Sequence, residues 1–546
     1  MGTRVTALIW IFSVAFALLG YSVFDIQVRQ GDYYGAKASS INTIGGYLIP
    51  KRGSIYFSDK DGEQIPAAIN KEYPLVYAIP NDIKPENVAA AAAALDSIIE
   101  DMTLSELEAV LSKKDDPYEP LIKRPTEAQV QAIEAAGLEG IHIGSGLDRF
   151  YPFNRSGSHV LGFVSANDPF WLGQYGVENY YNQLLGGVPG EATGDRVKRP
   201  VNGRDIQLTI DANIQTHAED ILSNLVQTYS GKAGTVIVAE PDTGKILAMA
   251  SYPAFDLNNF GQFDVGTFLN PAVQSVYEPG SIFKVITMAS AIDGDKITPD
   301  TTYYDSGELT LNAHTIRNWD LKAYGTVTMT QVIERSLNTG AAFAERQLGH
   351  DNFYEYLKKF GFTEETQVDM PGEVTGSLLP LEQDVRDINF ATASFGQGIS
   401  VTPIRLLSAI SAIANGGDLM RPHINADNKP QKIHRVISGD SSRKVIDMMV
   451  SAVDKAQIAR INGYSVAGKT GTAQIPGANG GAYTDEVINT YVGFAPAYDP
   501  RFIILIRLDR PYGAPLAGLT VVPAFRELAE YIINYYNIPP DRIDIE

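Results

Sequence analysis

The longest uninterrupted apolar stretch opens the chain. Twenty consecutive uncharged residues run from Val5 to Phe24, between Arg4 and Asp25, and include Leu8, Ile9, Trp10, Ile11, Phe12, Leu18 and Leu19. A helix of about 20 residues matches the roughly 30 Å hydrocarbon core of a bilayer. A cleaved secretory signal has a shorter apolar stretch, about 7–15 residues, followed by a small-residue cleavage site. Here the chain continues as Phe24-Asp25-Ile26-Gln27-Val28, without such a site. The pattern predicts a retained anchor over residues 1–25, with Arg4 inside. No second stretch of this length follows, so the remainder is expected on one side of the membrane.

Beyond the anchor the pattern changes near residues 205–230. The first part mixes short β-like runs with two Ala-rich helical stretches, residues 86–100 (the run Ala89 to Ala94) and 126–136 around Glu127 and Ile133. The stretch from Gly186 to Gly203 is rich in turn residues and predicts a loop or exposed hairpin. From Asp211 to Thr228 apolar residues return at helical spacing, with Ile214, Ala218, Ile221, Leu222 and Leu225 in one stripe. Residues 235–239 and 246–250, joined by Pro241-Asp242-Thr243-Gly244, predict an antiparallel hairpin. Two further strands are predicted at 490–494 and 502–508, and a helix from Pro523 through Tyr535 with Pro in its first turn. Early and late strands around a long helical middle predict an α/β (α+β) fold with one mainly antiparallel sheet flanked by helices.

Composition narrows the function. The 546 residues carry 44 Lys+Arg against 64 Asp+Glu, a net charge of −20, which disfavours partners bound through phosphates; no nucleic acid is expected. Apolar residues at 44% allow a sizeable core, and the absence of Cys excludes disulfides and thiol nucleophiles. The seven histidines stand far apart, with no His-Glu-x-x-His pair and no Gly-x-Ser-x-Gly elbow. A helix-borne zinc site or a Ser-His-Asp mechanism therefore fits poorly.

The segment Gly463 to Thr470 matches the phosphate-loop pattern GxxxxGK[ST] letter for letter. That loop needs a strand before it and a helix after it. Here Lys444 to Ile461 reads as helix, and Gly471 to Gly477 carries two further glycines counting both ends, plus Pro476, against a following helix. The same residues read better as a β-edge carrying Lys469, Thr470, Gly471 and Thr472. Upstream, Pro279-Gly280 breaks the chain before Ser281, and Ile282, Val285, Ile286 and Ala289 then follow at helical spacing. Ser281 and Lys284 thus share one face of a helix start. The helix N-terminus favours an alkoxide at Ser281 and disfavours a cation at Lys284, and burial would lower the lysine further, leaving an amine able to take the serine proton. Spacing alone is weak evidence, because Ser441-Ser442-Arg443-Lys444 supplies a second Ser and Lys three apart, in what reads as an exposed helix start. Ser336-Leu337-Asn338 is weaker still, since residues 40–42 and 165–167 repeat its pattern. The order Ser-x-x-Lys, Ser-x-Asn, Lys-Thr-Gly within one region is what carries weight.

That ordered triple resembles the penicilloyl-serine transferases. The whole chain is similar to class B penicillin-binding proteins, monofunctional peptidoglycan D,D-transpeptidases, in Gln27 to Tyr34, Lys51-Arg52-Gly53-Ser54, Arg149-Phe150-Tyr151-Pro152, Gly176-Val177-Glu178 and Phe395-Gly396-Gln397-Gly398. Its ending, from Tyr491 to Phe525, looks closest to the cell-division type; a longer turn at Phe57 to Gly62 departs from the family pattern. The resemblance implies an anchor at 1–25, a non-catalytic dimerisation or pedestal domain at 26–205 and a transpeptidase domain at 206–546. It implies Ser281 as acylated nucleophile, Lys284 as base, Ser336 and Asn338 as proton relay and amide holder, and Lys469, Thr470 and Thr472 as ligands of the terminal D-Ala carboxylate. The amides of Ser281 and Thr472 would form the oxyanion hole, with Gly471 allowing close approach. Implied partners are peptidoglycan stem peptides, β-lactams, a membrane glycan polymerase and other division or elongation proteins; no metal or diffusible cofactor is implied. A hydrolase (carboxypeptidase or β-lactamase) and a non-enzymatic β-lactam sensor or scaffold are the alternatives.

Overall fold

A computed structural model of the chain describes residues 2–25, 27, 43–44, 47–114, 118–165, 171–193, 196–477, 481–513 and 516–542. Residues 28–34, 40–42 and 166–167, quoted above, lie outside these. The first helix, α1 (Gly2–Phe24), turns its large apolar side chains outward, with Trp10 68% and Phe16 71% exposed. Among the described residues no helix is long and apolar enough to cross a membrane.

A sheet organises the first half. Strand β1 (Ile55–Ser58) pairs antiparallel with β2 (Gln64–Ala78) through a turn in which Asp59 Oδ1 accepts from the amides of Asp61 and Glu63. The end of β2 is flanked by β3 (Glu119–Lys123) on one edge and β4 (Ile141–Phe150) on the other. The Ala-rich helix runs over Val88–Asp96, shorter at both ends than its composition predicts: Pro85–Asn87 form a 3₁₀ turn before it and Ser97 caps its end. Helices Leu104–Leu111 and Glu127–Ala136 start at capping boxes of Thr103 with Glu106 and Thr126 with Gln129. Together they close a small core around Val76, Leu95, Leu107 and Ile133. The turn-rich stretch forms the expected hairpin, Gly190–Thr193 against Arg196–Lys198.

Three of the quoted motifs meet at one buried point. Glu178, wholly buried, accepts from Arg52 Nε at 2.6 Å and from Arg149 Nε at 2.7 Å. Arg149 also donates to Asn70 Oδ1 at 3.1 Å, and Tyr151 OH to Glu178 at 3.3 Å. A carboxylate this buried persists only because it is paired.

Strand β5 (Ile206–Asp211) opens the second half yet pairs parallel with β1, Ile55 opposite Ile206. It leads into α2 (Ala212–Thr228), whose first turn is capped by Asp211 Oδ1 accepting from Asn213 and Ile214. The main sheet is five-stranded and antiparallel throughout. It contains β6 (Ala233–Ala239), β7 (Ile246–Tyr252), β8 (Ala467–Gly477), β9 (Gly481–Ala495) and β10 (Phe502–Asp509), in the order β7-β6-β10-β9-β8. Side chains alternate between its faces. Val236, Val238, Ile504 and Ile506 pack with Ile214, Leu222 and Phe525. Ile237, Ile503 and Leu505 join the larger helical core of Ile286, Ala289, Leu406 and Met449. Both faces are covered, so the central strands read as continuous apolar runs.

Three helices of the second half position the site, α3 (Phe283–Asp293), α4 (Met329–Arg335) and α5 (Asn338–Leu348), while α6 (Pro403–Ala414) lies in the core with α3. Every residue of α3 from Phe283 to Ile292 is buried, more than one apolar stripe predicts. Its hydroxyls are satisfied inside, Thr287 donating to Ser394 O and Ser290 to Ile286 O. Helix α7 (Gly439–Ala456) begins and ends earlier than its spacing predicts, and Gln457 ends it in a left-handed conformation. Its first turn corrects a second expectation: Ser441 and Ser442 are buried rather than exposed, Ser442 donating to Ile413 O, while Lys444 reaches out to Asp440. The last helix, α8 (Val521–Tyr535), starts two residues before Pro523.

Candidate active site

Helix α3 is entered through a 3₁₀ turn, Gly280–Ile282, in which Gly280 has φ +58°. Ser281 follows it, with Lys284 one turn further along. Lys284 Nζ lies 2.8 Å from Ser281 Oγ, donates to the Ser336 carbonyl at 2.7 Å and lies 3.1 Å from Ser336 Oγ. Burial, and then the charge of Lys469, hold the Lys284 amine well below the ordinary lysine range. Lys469 Nζ approaches Ser336 Oγ from the other side at 3.0 Å and donates to the Thr470 carbonyl at 3.0 Å. Burial pulls Lys469 down to about 7. One hydroxyl, Ser336, is therefore shared by two desolvated amines, one of which touches Ser281.

Strand β8 lies at the edge of the main sheet and brings Lys469 to this point. Lys469 and Gly471 face the helix start, whereas Thr470 and Thr472 take the alternate positions. A Cβ on Gly471 would lie 2.8 Å from the Pro279 carbonyl oxygen, so the strand approaches the turn of Ser281 backbone to backbone. One on Gly396 would lie 2.3 Å from the Gly280 oxygen, and Gly280 N donates to Gly396 O at 3.1 Å. Gly471→Ala is expected to push β8 away from Ser281 and slow β-lactam acylation at least tenfold, read as the rate of fluorescent labelling; an unchanged rate would show that the close approach is dispensable.

Two of the residues singled out from sequence stand apart from this cluster. Asn338 Nδ2 donates to the Arg317 carbonyl at 2.8 Å, and the Thr472 hydroxyl is engaged with Asn489 Oδ1 at 3.3 Å and the Ala517 amide at 3.4 Å. Glu278, unremarked in the sequence reading although only three residues before Ser281, ties three segments together. Its carboxylate accepts from Gly398 N at 3.1 Å and from Tyr483 OH at 3.0 Å, and burial raises it. The phosphate-loop reading is excluded by local geometry: Gly468, Lys469 and Thr470 lie within strand β8, and strand rather than helix follows.

A serine at a helix start, a buried lysine whose charged form is disfavoured beside it and a second lysine on an adjacent strand edge are the parts of a lysine-assisted serine acyltransferase. The penicillin-binding protein transpeptidase domain profile matches residues 234–530, and the penicillin-binding protein dimerisation domain profile matches 47–221. The chain belongs to the class B penicillin-binding proteins. It is 32% identical to stage V sporulation protein D of Bacillus subtilis, over 94% of this chain and 83% of that one. It is 29% identical to a probable peptidoglycan D,D-transpeptidase, PenA, of Neisseria gonorrhoeae, over 91% and 86%. A peptidoglycan synthetase structure from Bifidobacterium adolescentis superposes with a TM-score of 0.70 at 25% identity, covering 92% of this chain and 98% of that one. Penicillin-binding protein 2X of Streptococcus thermophilus shares the fold, with a TM-score of 0.72 at 24% identity over 90% and 81%.

Proposed function

We propose that this chain crosslinks peptidoglycan by acyl transfer through Ser281. The observation that carries the reading is the 2.8 Å contact between Ser281 Oγ and a buried lysine amine. Ser281 attacks the penultimate D-Ala carbonyl of a stem pentapeptide while its proton passes to Lys284. The amides of Ser281 and Thr472 receive the oxyanion, each donor contributing about 2.7–4 kcal/mol. Ser336, between the amines, returns a proton to the departing D-Ala, and Lys469 with Thr470 holds the terminal carboxylate; the Thr472 hydroxyl joins them on leaving Asn489 and the Ala517 amide. Asn338, its Nδ2 held by the Arg317 carbonyl, offers Oδ1 to the substrate amide. An amine from a neighbouring stem then displaces Ser281 and forms the crosslink. β-Lactams enter the same path and stop at the acyl-enzyme.

Residues 1–25 act as the anchor, supported by the uncharged run from Val5 to Phe24 and the outward apolar side chains of α1, and place the rest of the chain outside the cell membrane. Residues 26–205 serve as pedestal and docking surface for a membrane glycan polymerase, and 206–546 as the transpeptidase unit. The test is a pentapeptide donor ending in D-Ala-D-Ala, supplied with an amine acceptor. The expected product is the new amide with release of D-Ala; a purely hydrolysed tetrapeptide would identify a carboxypeptidase instead.

The two lysines set the pH dependence. The active form has Lys284 neutral and Lys469 cationic. With Lys469 near 7, kcat/KM for a carboxylate-bearing donor is expected to fall as pH rises through about 7. A bound carboxylate favours the ammonium, so the same limb in kcat moves to higher pH. The pH profiles of both constants check this, and identical limbs would contradict the role of Lys469.

A further inference from the structure

Ser336 is held in a left-handed conformation, φ +56°, between the end of α4 and the start of α5. Such a conformation in a residue with a Cβ persists only where its surroundings impose it. The helix that follows has no cap of its own, because Leu337 occupies the N-cap position. Its first two amides, Asn338 and Thr339, donate instead to Asn318 Oδ1, at 3.1 and 3.4 Å, from a loop twenty residues upstream. Neighbours of Asn318 hold the same turn from both ends. Arg317 O accepts from Asn338 Nδ2 at 2.8 Å, and Trp319 Nε1 donates to Arg335 O at 3.0 Å. Residues 317–319 thus grip the backbone before and after Ser336.

The orientation of Asn318 is itself fixed. Its side-chain nitrogen donates to both oxygens of Asp305, at 3.2 and 3.0 Å, and to Lys322 O at 3.1 Å. That leaves Oδ1 facing the helix start, since only the oxygen can accept. Asp305 is wholly buried and receives two more amides, Gly307 and Tyr324, and the Thr339 hydroxyl at 2.7 Å. A buried carboxylate saturated by donors from three segments is a rigid anchor rather than a solvated surface group.

We propose that Asn318, oriented by Asp305 and assisted by Thr339, is a positioning residue for acyl transfer: it caps α5 and thereby sets the turn that places Ser336 Oγ between Lys284 and Lys469. The proposal rests on the reading that this hydroxyl and these amines carry the protons. Neither Asn318 nor Asp305 touches the reacting atoms. Their effect is transmitted through the turn, and a displacement of Ser336 would alter both lysine contacts at once.

The test uses the full chain and a fluorescent penicillin, with acylation rate and its pH profile measured beside thermal melting. Asn318→Ala is expected to acylate at least tenfold more slowly per folded molecule, with a displaced pH profile, because Ser336 is the partner shared by both amines. Thr339→Val should move both readouts the same way, and Thr339→Ser, which keeps the hydroxyl on Asp305, should restore them. This pair decides the matter even where Asn318→Ala folds poorly. Wild-type rate and profile per folded molecule in Thr339→Val, or in a folded Asn318→Ala, would overturn the positioning role and leave only a structural one. Ser281→Ala run in parallel separates the two readings: label persisting there refutes the nucleophile, whereas Ser281-dependent label at normal rate in the other variants refutes the positioning alone.

Discussion

Lys284→Met is expected to leave a folded protein whose acylation by a β-lactam is about 10²–10⁴-fold slower, the range of a lost general base. The position is fully buried in a helix whose neighbouring residues Phe283, Val285 and Ile286 are apolar, and Met has a similar length and tolerates irregular surroundings. What disappears is the amine 2.8 Å from Ser281 Oγ, the group available there to take the serine proton. Thermal stability should hold or rise, since a desolvated amine no longer has to be accommodated, although the Ser336 carbonyl loses its donor. The combination separates catalysis from folding. Stopped-flow labelling and a melting curve on the same preparation measure it, and a loss smaller than tenfold would mean that another group deprotonates Ser281.

The second large effect lies far from the chemistry. Glu178→Ala is expected to destabilise the N-terminal half by about 3–5 kcal/mol, because it strands two buried guanidinium groups. Arg52 and Arg149 are 3% and 2% exposed, and both direct their Nε atoms at this carboxylate. Glu178→Gln keeps two polar atoms in place and should lose less. Chemical denaturation followed by tryptophan fluorescence reads the difference, and a shift below about 1 kcal/mol would show that the arginines find other partners. Because the cluster draws on residues 52, 149 and 178, its loss is expected to loosen the whole sheet of β1 to β5 rather than one loop.

How far the chain could be read without coordinates follows from the range of the forces involved. The Ser281–Lys284 pair was legible because the two lie one helical turn apart, and apolar spacing announces that turn. The strands at 235–239, 246–250, 490–494 and 502–508 were legible because short, largely apolar runs bounded by turn residues suit a sheet covered on both faces. The full enclosure of α3 was not, since its spacing announces one apolar stripe, and the elements that cover its other faces, among them the turn of Ser336, come from distant parts of the chain. Nor was the parallel pairing of Ile206–Asp211 with Ile55–Ser58, which joins strands some 150 residues apart in a sheet whose neighbours are otherwise antiparallel. Ser441 misled for the opposite reason: charged neighbours suggested exposure, while the helix buries its serine face. Asn318 and Asp305 carry no motif at all. Their importance comes from contacts with residues 338 and 339, and only the folded chain brings those segments together.

In the proposed mechanism Ser281 becomes covalently acylated and stays so until an amine arrives. Whole-protein mass spectrometry after treatment with benzylpenicillin detects that state. The expected result is a single long-lived penicilloyl adduct on the wild-type chain, mapped by digestion to the peptide containing Ser281 and missing from Ser281→Ala. An adduct of equal yield in the variant, or rapid penicillin hydrolysis by the wild type with no adduct accumulating, would contradict it.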